Sequence, residues 1–136
     1  MKVTGACACG DIRIEGEINP DNVRLCHCTD CQTGSGSAFR FNVPISGETF
    51  RMTGTPSIYV KTTAESGNPR AQAFCPRCGT AIHSTTPGEG QQKAYMVRAG
   101  ILHQREQLIP KQQIWYRSAQ SWVTDLAGVP KAMKQS

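Results

Sequence analysis

Seven cysteines in three tight groups constrain this 136-residue chain more than any other feature. They fall as Cys7-x-Cys9, Cys26-x-Cys28-x-x-Cys31 and Cys75-x-x-Cys78. Cysteines so close in sequence are poorly placed to bridge one another, and an odd number cannot all pair. The N-terminus, Met-Lys-Val-Thr-Gly-Ala-Cys, carries no apolar stretch of the kind a secretory signal needs. The spacing therefore argues against a secreted disulfide scaffold. It predicts reduced, metal-holding thiols in the cytoplasm.

Between the cysteine groups the apolar residues alternate with polar ones. Ile12, Ile14 and Ile18 alternate with Arg13, Glu15 and Glu17; Val23 and Leu25 with Asn22 and Arg24; Phe39, Phe41 and Val43 with Arg40 and Asn42. A period of two is the signature of a half-buried strand, and Pro44 is expected to end or edge the third of these. Further strands are expected at 48–53, 57–63, 70–74, 81–85, 94–99 and 112–117. Turn-forming clusters separate them, among them Asn19-Pro20-Asp21, Gly54-Thr55-Pro56, Ser66-Gly67-Asn68-Pro69 and Pro87-Gly88-Glu89-Gly90. About nine short strands at this spacing predict an all-β domain of packed sheets or a partly open barrel. Helix is confined to a turn after Cys28 and a short piece near 119–126. No linker or repeat divides the chain, so one domain over 1–136 is expected.

The charge pattern excludes other classes. No apolar run is long enough to span a membrane. The fifteen Lys and Arg residues are scattered without a basic block, which reads as a solvated surface rather than a nucleic-acid interface. Seven thiolates and two divalent ions would together contribute a charge of −3, lowering the formal +5 to +2.

The cysteines divide unequally. Phe74-Cys75-Pro76-Arg77-Cys78-Gly79 has the form of a metal-binding knuckle, and Cys7-Ala8-Cys9-Gly10 is a tighter version of it. Two such pairs make one closed tetrahedral Cys₄ site, which would staple the start of the chain to its later strands. Cys26, Cys28 and Cys31 are left with one ligand missing. Three protein ligands and an open position is the pattern of a catalytic zinc. Alternatives stay open at this point. His27 or Asp30 could complete a closed site, or the three cysteines could borrow a ligand from the other four. Thr33-Gly34-Ser35-Gly36-Ser37 could hold a substrate carboxylate or be a plain turn. His83 could face the second ion as acid or base, or be packed; His27 and His103 carry no stronger indication. Trp115 and Trp122 are expected to cover the core, with Trp115 and Tyr116 as an alternative cleft wall.

Gly5-Ala-Cys7-Ala-Cys9-Gly10, Cys26-His-Cys28-Thr-Asp-Cys31 and Phe74-Cys75-Pro-Arg-Cys78-Gly79-Thr80 resemble, in order and spacing, the glutathione-dependent formaldehyde-activating enzyme (GFA) family. Pro110-Lys-Gln-Gln-Ile114-Trp115 and Ser121-Trp122 are similar to that family's C-terminal segment. The resemblance implies an Mss4-like all-β fold around zinc. It implies a structural zinc on Cys7, Cys9, Cys75 and Cys78 and a catalytic zinc on Cys26, Cys28 and Cys31. It also implies a carbon–sulfur lyase acting on a thiol adduct such as S-hydroxymethylglutathione, with a small thiol, glutathione among the candidates, as partner. The competing expectation from the same residues is a non-enzymatic, zinc-stabilised protein-interaction module; a thiol redox or metal-storage role is a third.

Overall fold

Alternation decides the architecture, because each short strand has one apolar face to bury. The computed structural model describes residues 1–88 and 93–135. Among them the chain forms ten strands and one α-helix. In order these are β1 (Lys2–Ala6), β2 (Arg13–Glu17), β3 (Arg24–Cys26), α1 (Thr29–Ser35), β4 (Arg40–Ser46), β5 (Arg51–Thr53), β6 (Ser57–Lys61), β7 (Arg70–Phe74), β8 (Ala81–Thr85), β9 (Ala94–Arg98) and β10 (Gln112–Ile114). The all-β, Mss4-like expectation therefore holds. The turn expected at 87–90 runs partly outside the described residues.

A three-stranded sheet, β1-β2-β5, lies against a seven-stranded sheet ordered β10-β3-β4-β9-β8-β7-β6. Every pairing is antiparallel except β10 on β3. Val3 and Ile14 from the small sheet meet Val43, Ile45, Ile82 and Val97 from the large one in a single apolar core. Burying this many branched aliphatic side chains, each worth about 1.5–3 kcal/mol, is the main term holding the sheets together. The opposite face of the large sheet carries Asn42, Ser84, Met96 and Arg98, and that polar face is where the candidate site lies.

Several elements differ from the expectation, each for a local reason. β1 was not among the expected strands: Val3 is its one large apolar residue, and Gly5 provides the other inward position. Pro44 does not end β4, which runs on to Ser46, but it does sit at a local edge. β3 reaches only as far as Asn42, so Pro44 has a strand neighbour on the β9 side alone, and a missing N–H is tolerated on the open side. The 48–53 strand shortens to Arg51–Thr53 because Ser46 folds the chain back, its carbonyl accepting from the amides of Thr49 and Phe50. Trp115, at φ 53, stops β10 at Ile114. The helix expected at 119–126 is a run of isolated turns, with Val123 N–H on the Gln120 carbonyl and Asp125 N–H on that of Trp122. So short a segment cannot pay for helix nucleation without an apolar face to bury. Trp122, 50% exposed, does not cover the core.

Candidate metal centres and the adjoining cavity

The first cluster joins the two sheets. Cys7 follows β1, Cys9 lies in the turn to β2, and Cys75 and Cys78 occupy the turn between β7 and β8. All four Sγ atoms lie within 4.8 Å of one another. Cys7 and Cys9 Sγ are 3.6 Å apart, and Cys9 and Cys75 Sγ 3.7 Å. Four sulfurs about 2.3 Å from a tetrahedral zinc would be about 3.8 Å apart, so the cluster is the right size for that ion. Each pair closes on a glycine in the left-handed region, Gly10 at φ 83 and Gly79 at φ 76, whose amides bond back to the Cys7 and Cys75 carbonyls. Thr80 ties the pairs together. Its Oγ1 accepts from the Ala8 amide at 3.1 Å and lies 3.1 Å from Cys78 Sγ. The Thr80 hydroxyl, then its amide, hold the Cys78 thiol down to about 5.

The second cluster is Cys26, Cys28 and Cys31, again with all Sγ atoms within 4.8 Å. Cys26 ends β3, Cys28 caps α1, and Cys31 sits in its first turn, so a cap and a first-turn residue share one side of the helix. The Cys31 amide donates to Cys28 Sγ at 3.3 Å. No fourth Cys, His, Asp or Glu of the described residues joins this group. His27 points the other way: it is fully buried, its Nε2 is 2.8 Å from Gln113 Oε1, and its ring packs edge-on against Phe39 and Tyr116. Asp30 is engaged elsewhere, 3.3 Å from Lys61 Nζ and accepting from Thr63 Oγ1 at 2.9 Å. None of the seven cysteines forms a disulfide. Two groups that could hold a metal ion are thus present, one of four thiols and one of three.

The three thiols divide their protons unevenly. Hydrogen bonding from Cys26, then from Cys28, and the Arg40 and Arg98 guanidinium groups hold Cys31 down to about 5 against the effect of burial. Cys26 is pushed up, first by its bond to Cys31 and then by burial; Cys28 is pushed up chiefly by burial.

Two arginines expected on a solvated surface are buried instead: Arg40 is 6% exposed and Arg98 8%. Arg40 lies opposite Cys26 in the β3–β4 ladder, and Arg98 lies opposite Asn42, whose Oδ1 accepts from its Nη1 at 2.8 Å. Neither meets a carboxylate among the described residues, and both Nε atoms lack a partner there. Burying a guanidinium without an anion is costly, so the cysteine sulfurs are their natural counter-charge. A partial signal existed for Arg40 alone, a cation on the strand that follows the three-cysteine group; nothing near Arg98 in sequence points to the site. Gln32 was also missed. Its Nε2 donates to the carbonyls of His27 at 2.8 Å and Ser118 at 2.9 Å, tying α1 to the segment after β10.

A cavity of about 200 Å³ adjoins the three cysteines over the polar face of the large sheet. Trp115, rather than Trp122, lines it. Residues 63–66 wall another side, held by the Asp30 contacts with Lys61 and Thr63 and by an ion pair between Glu65 and Arg117. Thr33–Ser37 is not part of it. Thr33–Ser35 complete α1, the Gly36 amide bonds to the Gln32 carbonyl, and Ser35 Oγ donates to the Phe39 carbonyl. The anion-holding alternative for that stretch is therefore overturned, since it is a helix C-terminus. His83 is also outside the cavity, 4% exposed and packed edge-on against Phe50 and Tyr95. His103 sits with Thr4 on the small sheet, its Nδ1 3.0 Å from Thr4 Oγ1. No helix of the described residues is long and apolar enough to cross a membrane.

This arrangement can be set beside known proteins. The family model for the glutathione-dependent formaldehyde-activating enzyme matches residues 2–118. The chain belongs to that family. A crystal structure of a Rhodobacter sphaeroides protein is similar in fold, with a TM-score of 0.59 and 20% identity over 81% of this chain and 98% of that one. No curated protein matched the sequence. The matched residues contain all seven cysteines and end at Ser118, where the described chain passes into exposed turns.

Proposed function

We propose that the protein is a zinc-dependent carbon–sulfur lyase acting on an adduct between a small thiol and an aldehyde, glutathione and formaldehyde being the pair the family suggests. The observation that carries this reading is the three-cysteine cluster beside a polar cavity, with no fourth protein ligand among the described residues. On this reading Cys7, Cys9, Cys75 and Cys78 hold a structural zinc and supply no open position. Cys26, Cys28 and Cys31 hold the second ion. Zinc bound there would supply Lewis acidity and lower the pKa of a thiol placed beside it.

The remaining work falls to the chain's own residues. Three thiolates around a divalent ion leave one net negative charge, which Arg40 and Arg98 offset. Trp115 and the 63–66 segment limit water around the reacting atoms. In the forward direction the sulfur–carbon bond forms, and the thiol proton ends on the former aldehyde oxygen as a hydroxyl. The reverse direction breaks the same bond, and neither needs an oxidant or reductant. Reduced cysteines at seven positions suit a reducing compartment such as the cytoplasm, and we take residues 1–136 as a single domain.

The test compares two serine substitutions in the zinc-loaded protein, following glutathione–formaldehyde adduct exchange by NMR. Cys28→Ser is expected to abolish acceleration while keeping the folded spectrum, whereas Cys75→Ser is expected to lose the fold. A folded, zinc-loaded wild-type protein that accelerates neither formation nor cleavage of the adduct would defeat the proposal.

A further inference from the structure

The loop joining β6 to β7, residues 62–69, walls the cavity beside the three cysteines yet is barely attached to the sheet. It runs from Lys61, the last residue of β6, to Arg70, the first of β7, and both of these also line the cavity. Ala64 is the one residue of the loop that is not exposed, so no large apolar side chain anchors it. Its own backbone amides bond within it: Gly67 N–H donates to the Ala64 carbonyl, and Asn68 N–H to Ser66 Oγ. Among the described residues, two polar side-chain contacts connect the loop to the rest of the chain. Thr63 Oγ1 donates to Asp30 Oδ2 at 2.9 Å, and Glu65 pairs with Arg117.

Both contacts fasten the loop to other walls of the cavity. Asp30 sits in the first turn of α1, between Cys28 and Cys31, and it also pairs with Lys61 Nζ at 3.3 Å. One carboxylate therefore grips the end of β6 and the start of the loop together. Arg117 reaches Glu65 from the turn after β10, and its guanidinium lies 5.3 Å from the centre of the Trp115 ring. Trp115 is the one non-glycine residue with positive φ among the described residues, at 53°, a conformation that a bulky residue keeps only where its neighbours hold it. Partly exposed contacts of this kind are individually weak, so the loop is fastened without being locked. The cavity measures about 200 Å³, less than the roughly 300–1,000 Å³ of sites that enclose a ligand of drug size. Enclosing a tripeptide thiol requires a wall to move, and the loop is the wall held by side chains alone.

We propose that residues 62–69 form a lid over the cavity, closed by the Asp30–Thr63 and Arg117–Glu65 latches, and that this lid selects entering thiols by size. This rests on the thiol-lyase reading and adds a gate to it. A small thiol reaches the three cysteines with the lid closed, whereas a larger one enters only in the fraction of molecules whose lid is open. Asp30 is thus a positioning residue, acting on the ligand through Thr63.

The test follows the arrival of 2-mercaptoethanol and of glutathione at the cobalt-loaded protein by stopped-flow absorbance. The wild-type protein should take up glutathione more slowly than 2-mercaptoethanol. Asp30→Ala, Arg117→Gln and Thr63→Val, the last of which leaves α1 untouched, should each speed glutathione uptake about fivefold, the size expected for losing one such contact. None should change the rate for 2-mercaptoethanol. Variants that shift both thiols alike would overturn the gate, because they would mark an effect on the ion rather than on entry. So would glutathione rates that no variant alters. Cleavage after Glu65 by a glutamate-specific protease gives a readout that needs no thiol. It should be about fivefold faster in the three variants than in the wild-type protein, and equal cleavage in all four would overturn the lid. If neither thiol changes the cobalt bands, the thiol reading falls, and the cleavage rates alone decide the lid.

Discussion

His83 makes the protein's stability depend on pH in a way that can be calculated and isolated. The imidazole is buried between Phe50 and Tyr95, and its Nδ1 has no hydrogen-bond partner among the described residues. Burial first, then Arg98, Lys93 and Arg70, lower its pKa from 6.5 to about 4. The unfolded chain therefore binds a proton between those values that the folded chain refuses. Stability is fully present above pH 6.5 and is lost as pH falls toward 4. Linkage puts the loss from this one group at about 2 kcal/mol between pH 7.5 and 5, approaching roughly 3 kcal/mol below pH 4. His83→Phe keeps an aromatic ring in the same packing and removes the titration. Urea unfolding of both proteins at the two pH values gives the double difference, and effects of acid on the cysteine sites cancel in it. The wild-type protein should lose about 2 kcal/mol more than His83→Phe over that range. Equal losses in the two proteins would mean that His83 is solvated or paired, and the reasoning would fail.

Two further substitutions probe how the fold supports the sites. Gly54 sits at φ +89, and a Cβ there would lie 2.3 Å from the Asp11 carbonyl oxygen. Gly54→Ala should cost about 2 kcal/mol or more in urea unfolding. Because Asp11 follows the Cys9-Gly10 turn, it should also speed loss of zinc to a chelator from the four-cysteine site; unchanged stability would refute this. Gln32→Ala removes the bonds to His27 and Ser118 and the one accepted from Gln120 Nε2 at 2.7 Å. It should cost about 1–3 kcal/mol and expose 115–120 to faster proteolysis, and an unaltered cleavage rate would refute the tie between that segment and α1.

The strands and the cysteine groups were legible because both are local signals. Period-two alternation identifies β2, β3 and β4 without reference to the rest of the chain, and the spacing of Cys75 and Cys78 contains its own turn. Elements that depend on distant partners were not legible. β1 has one large apolar side chain and is a strand because β2 pairs along its whole length. Pro44 stays within β4 because β3 happens to be short. The helix expected at 119–126 gives way to isolated turns because the segment is short and mostly exposed, burying too little to offset nucleation. At the site, the three cysteines declared themselves, but Arg40, Arg98 and Arg70 did not. An arginine on a strand reads as surface until the sheet order places it beside thiols or over a cavity.

Cobalt substitution tests the central claim, that Cys26, Cys28 and Cys31 form an open site while the other four cysteines form a closed one. Two cobalt ions per chain should bind with thiolate charge-transfer bands, and added glutathione should change the bands of one ion only. Cys28→Ser should remove that response while leaving the four-cysteine spectrum and the fold intact. A spectrum indifferent to thiol, or a Cys28→Ser protein as unfolded as Cys75→Ser, would contradict the account.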